Sequence, residues 1–167
     1  MSEQTGSIQT QRRLRSFLEQ GGASFREIEH EPTHTSEQSA AARGESMSIG
    51  GKALVMKAGA DRFVLLVIPA DRKLDSTLLR KSMGKRIRFA TRDELDELTG
   101  LVPGSVPPFG RPVLPLDLFV DRKLTENDRV AFNAASLTTS FIMPMADYLR
   151  IVQPEVLDLS RAREENE

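Results

Sequence analysis

The run Phe63-Val64-Leu65-Leu66-Val67-Ile68 is apolar at every position, so a strand built from it must be covered on both faces. It has to be a central strand. It follows Lys52-Ala53-Leu54-Val55-Met56-Lys57 after a turn at Gly59-Ala60-Asp61, and the economical pairing of the two is a hairpin. In an alternating strand Lys52 shares a face with Leu54 and Met56. An ammonium there either sits at the wet end of its strand, its stem snorkelling to water, or is held for a purpose.

Around this hairpin the sequence alternates short helices with short strands. Leu14, Phe17 and Leu18 form one stripe of a helix over residues 9–20, stopped by Gly21-Gly22. Residues 24–30 read as a strand. Thr35 with Gln38 has capping-box spacing and opens an alanine-rich helix that runs to Gly44, while Thr91 with Glu94 opens another that stops at Gly100. Leu74, Leu78 and Leu79 mark a short helix ending near Gly84, and residues 87–90 a short strand. Strands follow at 116–120, 129–133 and 140–143. Pro144 then fits the first turn of a helix carrying Tyr148, Leu149 and Val152, which Pro154 ends. The pattern predicts one α+β domain over residues 9–153, a mixed sheet flanked by short helices, with flexible tails at 1–8 and 160–167.

Composition removes several kinds of chemistry. The 167 residues include no Cys and only two His, His30 and His34. Thiol nucleophiles, disulfides and the usual zinc sites are excluded, and a His-built metal centre is disfavoured. No cofactor is expected; catalysis must draw on lysine, carboxylates, hydroxyls, backbone groups or the substrate itself. The polar start, Met1-Ser2-Glu3-Gln4-Thr5, is unlike a signal peptide, and residues 63–70, the longest apolar stretch, cannot cross a bilayer. The expectation is a soluble cytoplasmic protein. Net charge is −1, yet Arg80, Lys81, Lys85, Arg86 and Arg88 fall in one stretch without an acid. That stretch is either a helix C-terminus that favours cations or a phosphate-contacting patch.

The second constrained segment is Gly104-Ser105-Val106-Pro107-Pro108-Phe109-Gly110. Two prolines fix two φ angles and remove two donors, while both glycines can take backbone conformations closed to other residues. The loop should be stiff, with carbonyls left free for a partner other than the protein.

In their order and spacing these elements resemble the YbaK/prolyl-tRNA synthetase-associated domain family. The resemblance runs from about Leu14 to Ile151 and is carried by His30 with Thr35 and Ala40-Ala41, by Lys52-Ala53-Leu54-Val55, and by Phe63-Val64-Leu65 with residues 68–75. It continues through Glu94-Leu95, Thr99-Gly100 and the Gly104 to Gly110 loop. It implies a mixed sheet curled into a partial barrel and an aminoacyl-tRNA deacylase, a carboxylic ester hydrolase that edits tRNA mischarged with a small amino acid. Lys52 and Gly104 match the family's functional lysine and the start of its Gly-x-x-Pro-Pro loop. On this resemblance Lys52 binds the terminal phosphate or ester region, and the Gly104 carbonyl helps to hold the attacking water. His30, Thr35, Pro107, Pro108, Asn133 and Ser136 are candidate substrate-binding residues, although Thr35 has a capping role available and Asn133 and Ser136 could equally satisfy buried backbone. The partners implied are the aminoacyl-tRNA acceptor end and, as a candidate, an aminoacyl-tRNA synthetase. Many relatives have a glycine-containing turn where this chain has Asn133-Ala134-Ala135-Ser136. That departure keeps open an alternative, a non-catalytic protein that binds a tRNA end or a nucleotide on the same fold.

Overall fold

The computed structural model describes residues 6–164. The hairpin expected at its centre is there: β2 (Gly51–Ala58) and β3 (Arg62–Pro69) pair antiparallel from Gly51–Pro69 to Ala58–Arg62. The other edge of β3 runs parallel to β6 (Asp117–Asp121), which is parallel in turn to β9 (Glu155–Leu157). β5 (Ile87–Phe89) completes this mixed sheet on the far side of β2, giving the order β5-β2-β3-β6-β9. The continuous apolar run of β3 is explained by its position. Leu65 and Val67 face one hydrophobic cluster, with Leu14, Leu18, Phe109 and Tyr148, whereas Val64, Leu66 and Ile68 face a second, with Met56, Leu79 and Leu159.

A second sheet is wholly antiparallel, with β1 (Arg26–Glu29), β8 (Thr139–Pro144) and β7 (Arg129–Asn133) in the order β1-β8-β7. A single parallel bridge between Gly50 and Ala131 brings it to the mouth of β2. Helix α1 (Ile8–Gln20) packs Leu14 and Leu18 into the main core. Helix α2 (Ser36–Arg43) is capped by the Thr35 hydroxyl and ends on Gly44 at φ 69°. Its capping box is not reciprocal, because the Gln38 side chain accepts from His34 N–H (2.7 Å). Helix α3 (Ser76–Met83) follows strand β4 (Arg72–Leu74), and α4 (Arg92–Thr99) carries the complete Thr91/Glu94 box. Helix α5 (Arg122–Thr125) is a single turn and α6 (Met145–Val152) closes the main core with Tyr148. Pro144 ends β8 and caps α6, one residue earlier than its expected place inside the helix. No helix among the described residues is long and apolar enough to cross a membrane.

The C-terminal segment departs from expectation. Instead of fraying from residue 160, the chain forms β10 (Ser160–Ala162), antiparallel to β4. Charged composition suggested a tail, but Leu159 is fully buried and the Ser160 hydroxyl donates to the buried Asp121 carboxylate. Those two residues hold the strand. The expected tail at 1–8 is likewise shortened, because Gly6 bridges to Ser136, Ser7 caps α1 and Ile8 opens it; residues 1–5 and 165–167 lie outside the described residues.

The Gly104 to Gly110 loop is stiff for a reason the prolines only partly supply. Phe109 is fully buried, and its ring meets Phe17, Phe132 and Tyr148 edge-on at 6.2, 5.2 and 5.4 Å. A Cβ on Gly110 would lie 2.5 Å from the Leu116 carbonyl oxygen, so only glycine fits behind the ring. The buried Tyr148 hydroxyl donates to the Pro108 carbonyl at 2.6 Å. Replacing Tyr148→Phe leaves that acceptor unpaired in the core and should lower stability by about 1–3 kcal/mol. Urea unfolding measures it; a shift in midpoint at unchanged slope is the expected result.

Candidate active site

A cavity of about 460 Å³ opens between the N-terminus of α2, the start of β2, the loop at Pro103–Val106 and the end of β7. Lys52 and Gly104 both line it, as do Thr35 and Asn133. Residues eighty positions apart meet because the Gly50–Ala131 bridge sets the end of one sheet beside the other.

A chain of polar contacts runs behind the cavity. The Asn133 amide donates to the Gly104 carbonyl at 2.6 Å, and its oxygen accepts from the Arg43 guanidinium (Nη2, 3.0 Å). Arg43 Nε donates to the Ser140 hydroxyl at 3.0 Å, and that hydroxyl lies 2.8 Å from His30 Nε2. His30 Nδ1 faces the Glu31 carbonyl at 2.8 Å. A carbonyl opposite Nδ1 requires the proton there, which leaves Nε2 in the neutral ring as an acceptor for the one Ser140 hydroxyl proton, shared with Asn133 Oδ1 at 3.2 Å. The chain therefore has a direction. It orients Asn133 so that its NH₂ can only face Gly104, since its oxygen is claimed by a cation.

Gly104 has φ 87°, a left-handed conformation in which a side chain would be strained. Its carbonyl oxygen takes one hydrogen bond from Asn133 and has a second lone pair to offer. Three further loop carbonyls are spent inside the protein: Pro107 on Phe109 N–H, Pro108 on the Tyr148 hydroxyl, and Gly110 on Val113 and Leu114 N–H. The expectation of a row of free carbonyls is corrected at Pro107, Pro108 and Gly110, while Gly104 keeps a half-free carbonyl on the cavity wall.

Lys52 lies on the wall between this cavity and a larger one of about 790 Å³, sharing the face with Leu54 and Met56 as alternation required. Among the described residues its ammonium has no hydrogen-bond or ion-pair partner. Burial lowers its pKa from the ordinary lysine value, and nearby Arg163 lowers it further, while Glu37 opposes. Arg163 and Glu37 form an ion pair at 3.3 Å and line both cavities beside Lys52. The larger cavity has an apolar floor of Leu54, Met56, Ile68 and Leu79 and a rim that includes Arg72, Arg80 and the exposed Phe89.

Other sequence candidates are placed elsewhere. Pro107 and Pro108 are buried behind the loop and touch neither cavity, because the anchoring of Phe109 pulls them inward; Pro103 and Val106 stand at the wall instead. His30 is outside the wall, both ring nitrogens engaged. Ser136 caps a local turn by accepting from Thr138 N–H, away from the cavity, and Ala135 takes the left-handed conformation (φ 57°) there. Thr35 lines the cavity and caps α2 together. Of the basic cluster, Arg80, Lys81, Lys85, Arg86 and Arg88 are all exposed, and Arg88 is committed to Glu94 through two hydrogen bonds (2.8 and 3.0 Å) that hold that carboxyl down to about 2.

Sequence reasoning missed Arg43, Ser39, Thr33 and Arg163. Ser39 and Thr33 are buried at the cavity wall and hydrogen-bonded to each other at 2.9 Å. The available signal was the helical spacing, which puts Ser39 and Arg43 on one face of α2.

The lowered pKa of Lys52 means that the fold is penalised for holding the charge. The penalty is complete below the depressed folded pKa and disappears as pH rises from there to the unfolded value of about 10.4. Lys52→Met should therefore raise the melting temperature at neutral pH, with the gain shrinking as pH approaches the lysine range; thermal unfolding at several pH values checks it.

Comparison with known proteins shows the family. Residues 30–151 match the aminoacyl-tRNA editing domain family. The Multifunctional Ser/Thr-tRNA deacylase ProXp-y of Escherichia coli (strain K12) is 40% identical over 167 residues, covering 96% of this chain and 99% of the relative. Among solved structures, the hypothetical protein APE2540 superposes with a TM-score of 0.80 at 28% identity, over 89% of this chain and 99% of that one. A candidate trans-editing enzyme for prolyl tRNA synthetase superposes at 0.78 and 26% identity, over 92% and 98%. With its family match spanning the cavity and both of the elements that flank Lys52 and Gly104, the chain belongs to the aminoacyl-tRNA editing domain family.

Proposed function

We propose that the protein is a free-standing aminoacyl-tRNA deacylase that hydrolyses the ester between tRNA and a small, hydroxylated amino acid, serine or threonine. The carrying observation is that the unpaired Lys52 ammonium and the half-free Gly104 carbonyl line one cavity of amino-acid size. The name of the Escherichia coli relative supports the amino-acid class. The aminoacyl group enters the smaller cavity and the terminal nucleotide the larger, whose apolar floor and basic rim suit a base and its phosphates. Lys52, on the shared wall, meets the phosphate or the ester. The Gly104 carbonyl accepts from a water, which adds to the ester carbon; the carbon–oxygen bond to the ribose breaks, and a proton reaches the leaving oxygen through the neighbouring ribose hydroxyl. An ester needs little more than a placed water and a stabilised oxyanion.

The same reading assigns residues 9–153 to the editing domain, with the two larger sheets acting as the walls of a partial barrel. It also assigns a cytoplasmic setting and a synthetase as the partner that hands over the tRNA. Of the basic stretch, Arg80 and Arg88 line the larger cavity, and Lys81, Lys85 and Arg86 extend from it as the surface for acceptor-stem phosphates.

A panel of tRNAs charged with Ser, Thr, Ala, Cys and Pro tests the function: turnover on Ser- and Thr-tRNA that falls about 100-fold in Lys52→Ala is expected, the order seen when one transition-state contact is lost. Binding without turnover on any member would leave a tRNA-end-binding protein. The double variant Lys85→Glu/Arg86→Glu should weaken tRNA binding and flatten the salt dependence by about two units of log K per log salt. An unchanged slope removes those residues from the tRNA surface.

A further inference from the structure

We propose that Arg43 is the specificity-determining residue of the smaller cavity, donating through Nη1 to the side-chain hydroxyl of the substrate amino acid. The inference rests on the deacylase reading above and adds to it the group that tells serine from alanine and threonine from valine.

Arg43 is a partly buried cation without an anion among the described residues. Its partners are the neutral oxygens of Ser140 and Asn133, and no carboxylate pairs with it among the described residues. Burial pushes its guanidinium down to about 10, which still leaves it charged at neutral pH. Nη1 has no hydrogen bond among the described residues, yet no buried side-chain nitrogen or oxygen there lacks a partner. Nη1 is therefore reached by solvent, and Arg43 lines the cavity. Holding a desolvated cation against two neutral groups is costly unless its remaining donor serves a ligand.

The lining fixes which end of the ligand comes near it. Glu37 is the one carboxylate among the cavity residues, and it stands with Lys52 and Arg163 where the two cavities meet. Paired with Arg163 and next to Lys52, it leaves that junction net positive, so the direction of the ligand is set by where the ester sits. Arg43 is absent from the shared wall and belongs to the smaller cavity alone, beside Asn133, Thr33 and Ser39. With the ester at Lys52 and Gly104, the amino-acid side chain points toward Arg43. A ligand that enters displaces the water on this donor, so the pocket favours a side-chain oxygen and rejects a methyl group, because the apolar analogue leaves the donor covered and unpaired.

The test compares kcat/KM for Ser- against Ala-tRNA and for Thr- against Val-tRNA in the parent, Arg43→Lys and Arg43→Met. Affinities for 3′-seryl- and 3′-alanylamino-3′-deoxyadenosine are measured alongside by calorimetry. The parent should prefer each hydroxylated member, and both variants should reduce the preference by about tenfold to hundredfold, the range for a hydrogen bond to a charged donor. Arg43→Lys keeps the charge without the fork and guards against a misfolded Arg43→Met; the analogue affinities report selectivity apart from catalysis. A parent that turns over Ala-tRNA as fast as Ser-tRNA overturns the assignment while leaving the deacylase reading intact. So does a variant that slows all substrates equally at unchanged selectivity, which would place Arg43 on the ester. Absence of turnover on every tRNA removes the deacylase reading, and this inference with it.

Discussion

A guanidinium partly withdrawn from water ties the site together. Arg43 leaves the last turn of α2 and reaches both β7 at Asn133 and β8 at Ser140, so a helix and a strand pair distant from it in sequence are fixed against one planar group. Its fork geometry makes the fixing directional, which a lysine's rotating ammonium could not do. Everything downstream inherits that direction. Asn133 must present its amide hydrogens to Gly104, and the Gly104 carbonyl is thereby held from behind while its front remains open.

The second constraint is that β3 is covered on both faces, which divides the protein into two hydrophobic clusters. The main cluster anchors the catalytic-loop candidate through Phe109, so that loop is rigid because an aromatic core holds it. The smaller cluster lies under the larger cavity and includes Met56, Ile68 and Leu79, which also form its floor. One face of the central hairpin thus supplies stability, while the other supplies stability and a binding surface.

How much of this could be read from the residues depended on whether a feature was local. The helix caps at Thr35 and Thr91, the hairpin, and the central place of β3 follow from short-range chemistry, and all are present. Lys52 and Gly104 were legible because a lysine on an apolar face and a glycine before a double proline are locally odd. Arg43 was not, because a cation in the last turn of a helix is what the helix dipole favours anyway. The strand β10 was hidden by its charge, since only Leu159 and Ser160, between Asp158 and Arg161, reveal its buried side. Pro107 and Pro108 were over-read: their stiffness was apparent, but the direction in which Phe109 would pull them was a tertiary fact.

The position of Lys52 on a wall shared by two cavities has a thermodynamic consequence. On the proposed reading, one cation serves both halves of a ligand, so the free amino acid and the free nucleotide would each claim the same charge. Their separate affinities then cannot add to that of the joined molecule, and coupling through a shared group is where additivity fails. The intact ester alone brings both halves to the ammonium in one binding event. Hydrolysis divides that single arrangement between two products that compete for one ammonium, so on this reading the two cannot both keep it, and the loss of one half is built into the contact that held the whole.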